Sequence, residues 1–358
     1  MSIPATTSPL VAASLAVIRE GQSAEGAYLA CPTFPTYRYS WFRDGAFIAE
    51  AMDLWGHSDS AGAFHNWTVK TIAAQASLAG QVSADGEFQP GHLLHTRYRA
   101  DGSPGSSEWP NFQLDGLATW LWALERHLSR HGLEASDSQR SATRVVADYL
   151  LALWARPNFD CWEENAEELH SATLGAVYAG LLGAAKILGE PQYEGAASAV
   201  RAYLLTHGVQ NGHFSKHVGG EEVDGNLLWL TVPYGVLTAD HPISRATARK
   251  VRADLLDPEG GVHRYARDTY YGGGSWIILS AALAHDHLAV GDRTEAERLL
   301  VWIESQATPE GHLPEQTSRF LNDPAYLPKW EERWGRSACP LLWSHATYLT
   351  LVKALEVP

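Results

Sequence analysis

Apolar residues recur along this chain with a period near 3.6 from one end to the other, and no stretch alternates apolar and polar positions as a half-buried strand does. The pattern predicts twelve helices, over 8–20, 43–55, 58–78, 115–131, 137–155, 171–188, 191–207, 225–238, 242–255, 273–290, 293–307 and 341–356. Local chemistry supports several ends: Ser58 opens one helix, Gly132 closes another, and Pro191 sits in a first turn where its missing N–H costs nothing. The segment 225–238 has the poorest propensity, because Pro233 and Gly235 lie inside it.

The connections between these helices alternate in length. Those at 21–42, 79–114, 156–170, 208–224, 256–272 and 308–340 are long, and those at 56–57, 132–136, 189–190, 239–241 and 291–292 are very short. A short connection makes its two helices antiparallel, so successive connections fall at opposite ends of the bundle. All six long connections then gather at one end. The fold expected is all-α, an (α/α)6 barrel in which the helix after each long connection belongs to the inner ring. No internal sequence repeat argues for an open solenoid, and no Pro/Ser-rich linker divides the chain, so residues 1–358 read as one domain. Function concentrates in long loops held on a rigid scaffold.

Composition narrows the class of partner. The net charge of −14 argues against nucleic acid and anionic membranes as ligands and is silent about neutral ones. Cys31, Cys161 and Cys339 are too few and too scattered for a disulfide framework or a zinc cluster, which suits a reducing compartment. The apolar run from Leu10 to Ile18 has no basic residue before it, so no signal peptide is expected, and no stretch reads as a membrane span. A cytoplasmic setting follows, with no oligomer implied. Of fourteen tryptophans, Trp41, Trp109, Trp162, Trp330 and Trp334 fall in loop-like segments and Trp343 at a helix start, which makes these six candidates for a ligand surface. The other eight, Trp276 among them, read as core.

The third long connection carries Phe-Asp-Cys-Trp-Glu-Glu-Asn at 159–165. A hydrophobic wall beside a carboxyl group keeps it protonated near neutral pH, the requirement for a general acid, and like charges at Asp160 and Glu164 push the same way on Glu163. The same residues also suit a charged helix start. The first long connection ends in Arg43-Asp44, a pair able to donate to and accept from sugar hydroxyls, or simply to charge a helix end. Several histidines, including His65, His92, His95, His213 and His217, invite a metal reading, but no His-Glu-x-x-His motif or zinc spacing occurs. Neither a metal nor a cofactor is expected. The triple glycine 272–274 follows no strand and lacks the Lys-Ser/Thr of a phosphate loop, so it reads as a turn.

Six separated motifs run in one order: Tyr-Arg-Tyr-Ser-Trp-Phe-Arg-Asp at 37–44, Trp-Pro-Asn-Phe-Gln-Leu-Asp-Gly at 109–116, Asp-Cys-Trp-Glu-Glu at 160–164, Arg-Tyr-Ala-Arg-Asp-Thr-Tyr-Tyr-Gly-Gly at 264–273, Pro-Glu-Gln at 314–316 and Ser-Ala-Cys-Pro-Leu-Leu-Trp-Ser at 337–344. In these the chain resembles glycoside hydrolase family 15, the glucoamylase and glucodextranase family, over nearly all of 30–350. The resemblance implies an inverting, exo-acting α-glucosidase with a small glucoside and a water as its partners. It implies Glu163 as general acid, Glu315 as general base, and Arg43 and Asp44 as the grip on the non-reducing-end glucose. Glu164 and Arg264 match positions around the cleaved bond, while Tyr39, Trp41, Trp109 and Trp343 match the aromatic wall, with Trp162 beside the acid. The chain departs from bacterial members in having no room for an N-terminal β-sandwich, and it carries no starch-binding module. Short α-1,6-linked glucosides such as isomaltose are therefore the expected substrates. The alternatives are α-1,4 malto-oligosaccharides, trehalose, a phosphorylase on the same toroid, or an inactive sugar-binding toroid.

Overall fold

The computed structural model describes residues 8–82, 87–105 and 109–357. Its α-helices are α1 (Pro9–Glu20), α2 (Phe42–Leu54), α3 (Ser58–Ala79), α4 (Asp115–His131), α5 (Asp137–Leu153), α6 (Ser171–Leu188), α7 (Pro191–His207), α8 (Pro242–Leu255), α9 (Ile277–Ala289), α10 (Arg293–Ser305), α11 (Leu327–Trp334) and α12 (Leu342–Leu355). Six inner segments close a ring. α2 packs on α4, α4 on α6, α6 on the 3-10 segment Gly225–Leu230, that segment on α9, α9 on α12, and α12 back on α2. The remaining long helices lie outside this ring, and their sequences show why. In α7 only Tyr193, Ala197, Val200 and Leu204 are buried, a single stripe at helical spacing, whereas in α2 every residue but Leu54 is buried.

Four differences from the sequence expectation have local causes. The helix expected over 225–238 is a 3-10 turn that ends at Leu230, because Pro233 has no N–H to give and Gly235 takes a φ of +63°. The helix expected from 273 begins at Ile277, because Gly273 has a φ of +70° and residues 275–276 pair as a strand. The sixth long connection is not all loop but contains α11. α6, finally, is long and apolar enough to cross a membrane by length and composition, contrary to the expectation that no segment is. Its place in the inner ring accounts for this, since 78% of it is buried. Its glycines allow close contact with α4: a Cβ on Gly180 would stand 2.5 Å from the Ala118 carbonyl oxygen.

Three two-stranded ladders, β1 (Ser40–Trp41) with β2 (Arg97–Tyr98), β3 (Val209–Gln210) with β4 (His213–Phe214), and β5 (Val262–His263) with β6 (Ser275–Trp276), are too short to show as alternation in sequence. They and single hydrogen bonds lace the long connections into a circle. The first joins the second through β1–β2, with Trp41 opposite Arg97. Phe159 N donates to Phe112 O at 2.9 Å, joining third to second, and Ser171 N donates to Lys216 O at 3.1 Å, joining third to fourth. Gly225 N donates to Arg264 O at 2.7 Å, and Thr317 N to Ser275 O at 2.9 Å. Thr33 Oγ1 then donates to Cys339 O at 2.9 Å, returning the sixth connection to the first. All six long connections therefore share one end of the ring. Gly274 lies where the fifth meets the sixth, and a Cβ there would sit 1.8 Å from Thr317 O.

Candidate active site

The laced end encloses a cavity of about 360 Å³, within the range of small-ligand sites. Trp41, Arg43, Asp44, Trp109, Trp162, Glu163, Glu164, Arg264, Glu315 and Trp343 all line it. So do Trp330 and Trp334, so each of the six tryptophans singled out by position faces one space. Tyr39 is the exception. Its ring lies behind Trp41 and carries the Arg97 guanidinium at 4.2 Å, and the same guanidinium stacks 3.5 Å from the Trp109 ring. Tyr39 thus backs the wall, and Tyr37 lines the cavity in its place.

Arg43 and Asp44 lie in the first turn of α2, 6% exposed each. Arg43 Nη1 donates to Asp115 Oδ2 at 2.9 Å and to Gln113 Oε1 at 3.2 Å, which fixes the guanidinium from α4 and the loop before it. Its Nε stands 3.6 Å from Asp44 Oδ2, and neither atom has a hydrogen-bond partner among the described residues. Burial lifts the Asp44 carboxyl to about 6, against the pull of Arg43. Below them Trp343 stacks on Phe47 at 5.2 Å, with its Nε1 also without a partner among the described residues.

The turn at 160–164 sends its acidic side chains in three directions. Asp160, 1% exposed, accepts through Oδ1 from Trp162 N and Glu164 N, both at 2.9 Å, so that oxygen is spent on its own loop. Glu163 has a φ of +68°, a left-handed conformation uncommon for a residue with a Cβ and found where a functional geometry is enforced. That reversal turns Glu163 toward Trp41, whose Nε1 donates to Oε1 at 2.7 Å. Glu164 points the other way and accepts from Arg264 Nη2 at 3.2 Å and from the Tyr265 hydroxyl. The Glu163 carboxyl is raised above the ordinary range by burial, opposed by Arg43 and the indole donors. The like charges of Asp160 and Glu164, expected to push the same way, are not among the main causes, because Asp160 is tied into its own loop and Glu164 pairs with Arg264. Trp162 Nε1 donates to Asp224 Oδ2 at 2.9 Å.

Lys216 lies under this turn. Its Nζ is 3.3 Å from Asp224 Oδ2 and 3.7 Å from Asp160 Oδ2, over the Tyr265 ring at 3.3 Å. Burial raises both carboxyls to about 6, with Lys216 the main opposing charge. Arg264, 3% exposed, is held by Asp268 through Nε at 2.7 Å and sits among the rings of Trp162, Tyr265, Tyr270 and Trp276. Glu315 enters the same cavity from the sixth connection. It is 2% exposed, accepts from Ser337 Oγ at 3.2 Å, and is pushed by burial to about 7 despite Tyr37, Arg264 and Ser337.

Sequence reasoning missed Trp276, Lys216, Asp224 and Tyr37. Trp276 is buried in the core as expected but also lines the cavity, and the three glycines that end at Gly274, with Ser275 between, signal that the helix starts later. Nothing local marks Lys216 or Asp224, which matter only through the loop folded over them.

Two carboxyls reaching one aromatic-walled cavity from different loops, beside a buried Arg–Asp pair, are the equipment of a glycoside hydrolase, an enzyme that cleaves a sugar with water. The chain belongs to glycosyl hydrolases family 15, which matches residues 10–301. It is 42% identical over 96% of its length to an isomaltose glucohydrolase of Kribbella flavida, of which it covers 91%. A solved glycosidase, one variant of which was determined with glucose, superposes with a TM-score of 0.91 at 40% identity, over 97% of this chain and 96% of that one. A bacterial glucoamylase solved with acarbose shares the fold at a TM-score of 0.80 and 21% identity, over 98% of this chain and 56% of its own.

Proposed function

We propose that this protein is an exo-acting, inverting α-glucoside hydrolase that releases β-glucose from the non-reducing end of short α-glucosides, with α-1,6 linkages such as isomaltose preferred. Glu163 acts as general acid and gives its proton to the glycosidic oxygen as the C1–O bond breaks. Glu315 acts as general base and takes a proton from the water that attacks C1 from the opposite face. Arg43 and Asp44 hold the terminal glucose through the atoms that lack partners in the protein, since a buried unpaired polar atom costs about 1–3 kcal/mol and a sugar hydroxyl relieves it. Trp41, Trp109, Trp162 and Trp343 pack against the rings, and Glu164 with Arg264 meets the leaving sugar. Residues 1–358 act as one catalytic domain, and the three free cysteines fit a cytoplasmic setting.

The observation that carries this reading is the convergence of Glu163 and Glu315 on one cavity with Arg43 and Asp44 between Trp41 and Trp343. The linkage preference is supported by the relative from Kribbella flavida, and the restriction to short substrates by α11, whose Trp330 and Trp334 wall the cavity. Incubation with isomaltose, maltose, nigerose, kojibiose and trehalose, with NMR of the first anomer released, tests all of it. Isomaltose is expected to be cleaved fastest, with β-glucose appearing first. First appearance of α-glucose overturns inversion, and faster cleavage of maltose or trehalose overturns the linkage.

A further inference from the structure

At the end of the ring away from the sugar cavity, three helices bring four metal-ligating side chains together. Asp53 comes from the last turn of α2, His65 from α3, and His127 and His131 from α4, where a spacing of four puts them on one face. Asp53 is 5% exposed, His65 1% and His127 6%. One ligand atom from each of these three lies within 4.8 Å of the other two. His131 adds Nε2 at 2.9 Å from Asp53 Oδ1. Around an ion with bonds of ~2.1 Å, tetrahedral ligand atoms stand ~3.4 Å apart, so ligation asks the side chains to close in and His127 and His131 to carry their ring protons on the nitrogens that face away from the ion.

His65 provides an independent reason to look for a ligand. Neither Nδ1 nor Nε2 has a hydrogen-bond partner among the described residues, although the ring is buried against that of His127, centroids 5.0 Å apart. A neutral imidazole carries one N–H and one lone pair, and each left unsatisfied in a core costs ~1–3 kcal/mol. Asp53 does not relieve it: its oxygens pair with His127 Nδ1 at 2.9 Å and His131 Nε2 at 2.9 Å, and no hydrogen bond from it reaches His65. The nearby Arg130 spends its hydrogen bonds on Glu50 and reaches Asp53 only as a longer ion pair. Its nitrogens hydrogen-bond Glu50 at 2.7 and 2.9 Å, against 3.6 Å to Asp53 Oδ2.

We infer that Asp53, His65, His127 and His131 form a structural site for one divalent transition-metal ion, Zn²⁺ by ligand class, which clamps α3 to α2 and α4. Three imidazoles and one carboxylate suit that class, and four protein ligands on buried helices make the site structural. The lack of a zinc spacing motif does not bear on it, because the ligands come from three helices.

The test is metal content and thermal unfolding of the full chain, stripped with a chelator and reloaded with Zn²⁺ or with Co²⁺ as a spectroscopic probe. One ion per chain is expected, with tetrahedral Co²⁺ absorption and a Tm raised by ~3 °C at a hundredfold excess over Kd. His65→Leu and His131→Leu should each lose the ion and the Tm response while still hydrolysing glucoside. The more exposed His131 keeps the test open if His65→Leu does not fold. A wild-type chain with the spectrum of aqueous Co²⁺ and an unmoved Tm overturns the site, as does either variant binding the ion as tightly as the wild type.

Discussion

The two glutamates that line the cavity, proposed above as acid and base, are held in opposite ways. Glu163 stands on a reversed turn, partly buried, with an indole N–H on one oxygen and a layer of Asp160, Lys216 and Asp224 beneath its loop. Glu315 is nearly sealed, with a serine hydroxyl on one oxygen, and burial alone outweighs every group that favours its charge. The proposed acid is positioned by backbone conformation and a charge network, the proposed base by desolvation. A carboxyl that must open toward a leaving group needs a fixed direction. One that must take a proton from water gains basicity from being removed from solvent.

Replacing each carboxyl tests this contrast most strongly. Glu163→Gln and Glu315→Gln should each lower kcat on isomaltose by ~10²–10⁴-fold. The two should part on an aryl α-glucoside whose leaving group needs no proton: Glu163→Gln recovers much of its rate there and Glu315→Gln does not. Equal behaviour of the two variants on both substrates would remove the distinction between acid and base.

A pH profile probes the desolvated side. Because Glu315 works ionised and is lifted to about 7, kcat/KM should fall as pH drops below about 7. The measured value belongs to the coupled pair, and the alkaline limb reports loss of the proton on Glu163. The stability sign follows from the same shift. A buried carboxyl raised from 4.5 to about 7 is neutral in the fold at low pH, and its ionisation costs the folded state ~3 kcal/mol as pH rises from about 4.5 through 7. Glu315→Gln should therefore unfold later than the wild type at pH 8 and no later at pH 4. A variant of equal stability at pH 8 would argue against the desolvated base.

The smallest effect is expected beneath the acid loop. Lys216→Met leaves Asp160 and Asp224 facing each other without their cation, so one of them takes up a proton and the turn under Glu163 relaxes. We expect kcat to drop ~10-fold, KM to change little and the alkaline limb to move, with Lys216→Arg restoring most of the rate. A variant that is merely less stable, with its pH limbs unmoved, would make Lys216 structural only.

Much of the molecule was legible from residue order. Helical periodicity and the alternation of long and short connections carry the ring, because both are properties of local spacing. The motifs single out Glu163, Glu315, Arg43 and Asp44, and the fold brings all four to one cavity. What periodicity misjudged was the fourth inner segment, where one proline and one glycine outweigh an apolar pattern, and α11, which is short and packs by its tryptophans. The direction each side chain points was decided only in three dimensions. Asp160, Glu163 and Glu164 are near neighbours in sequence, yet a single left-handed residue separates them into a loop anchor, a cavity carboxyl and a partner for Arg264. Tyr37 and Tyr39 exchange places for the same reason. The protonation of Glu315 and the meeting of Asp53, His65, His127 and His131 belong wholly to the tertiary structure, because desolvation and ligand geometry depend on segments far apart in the chain.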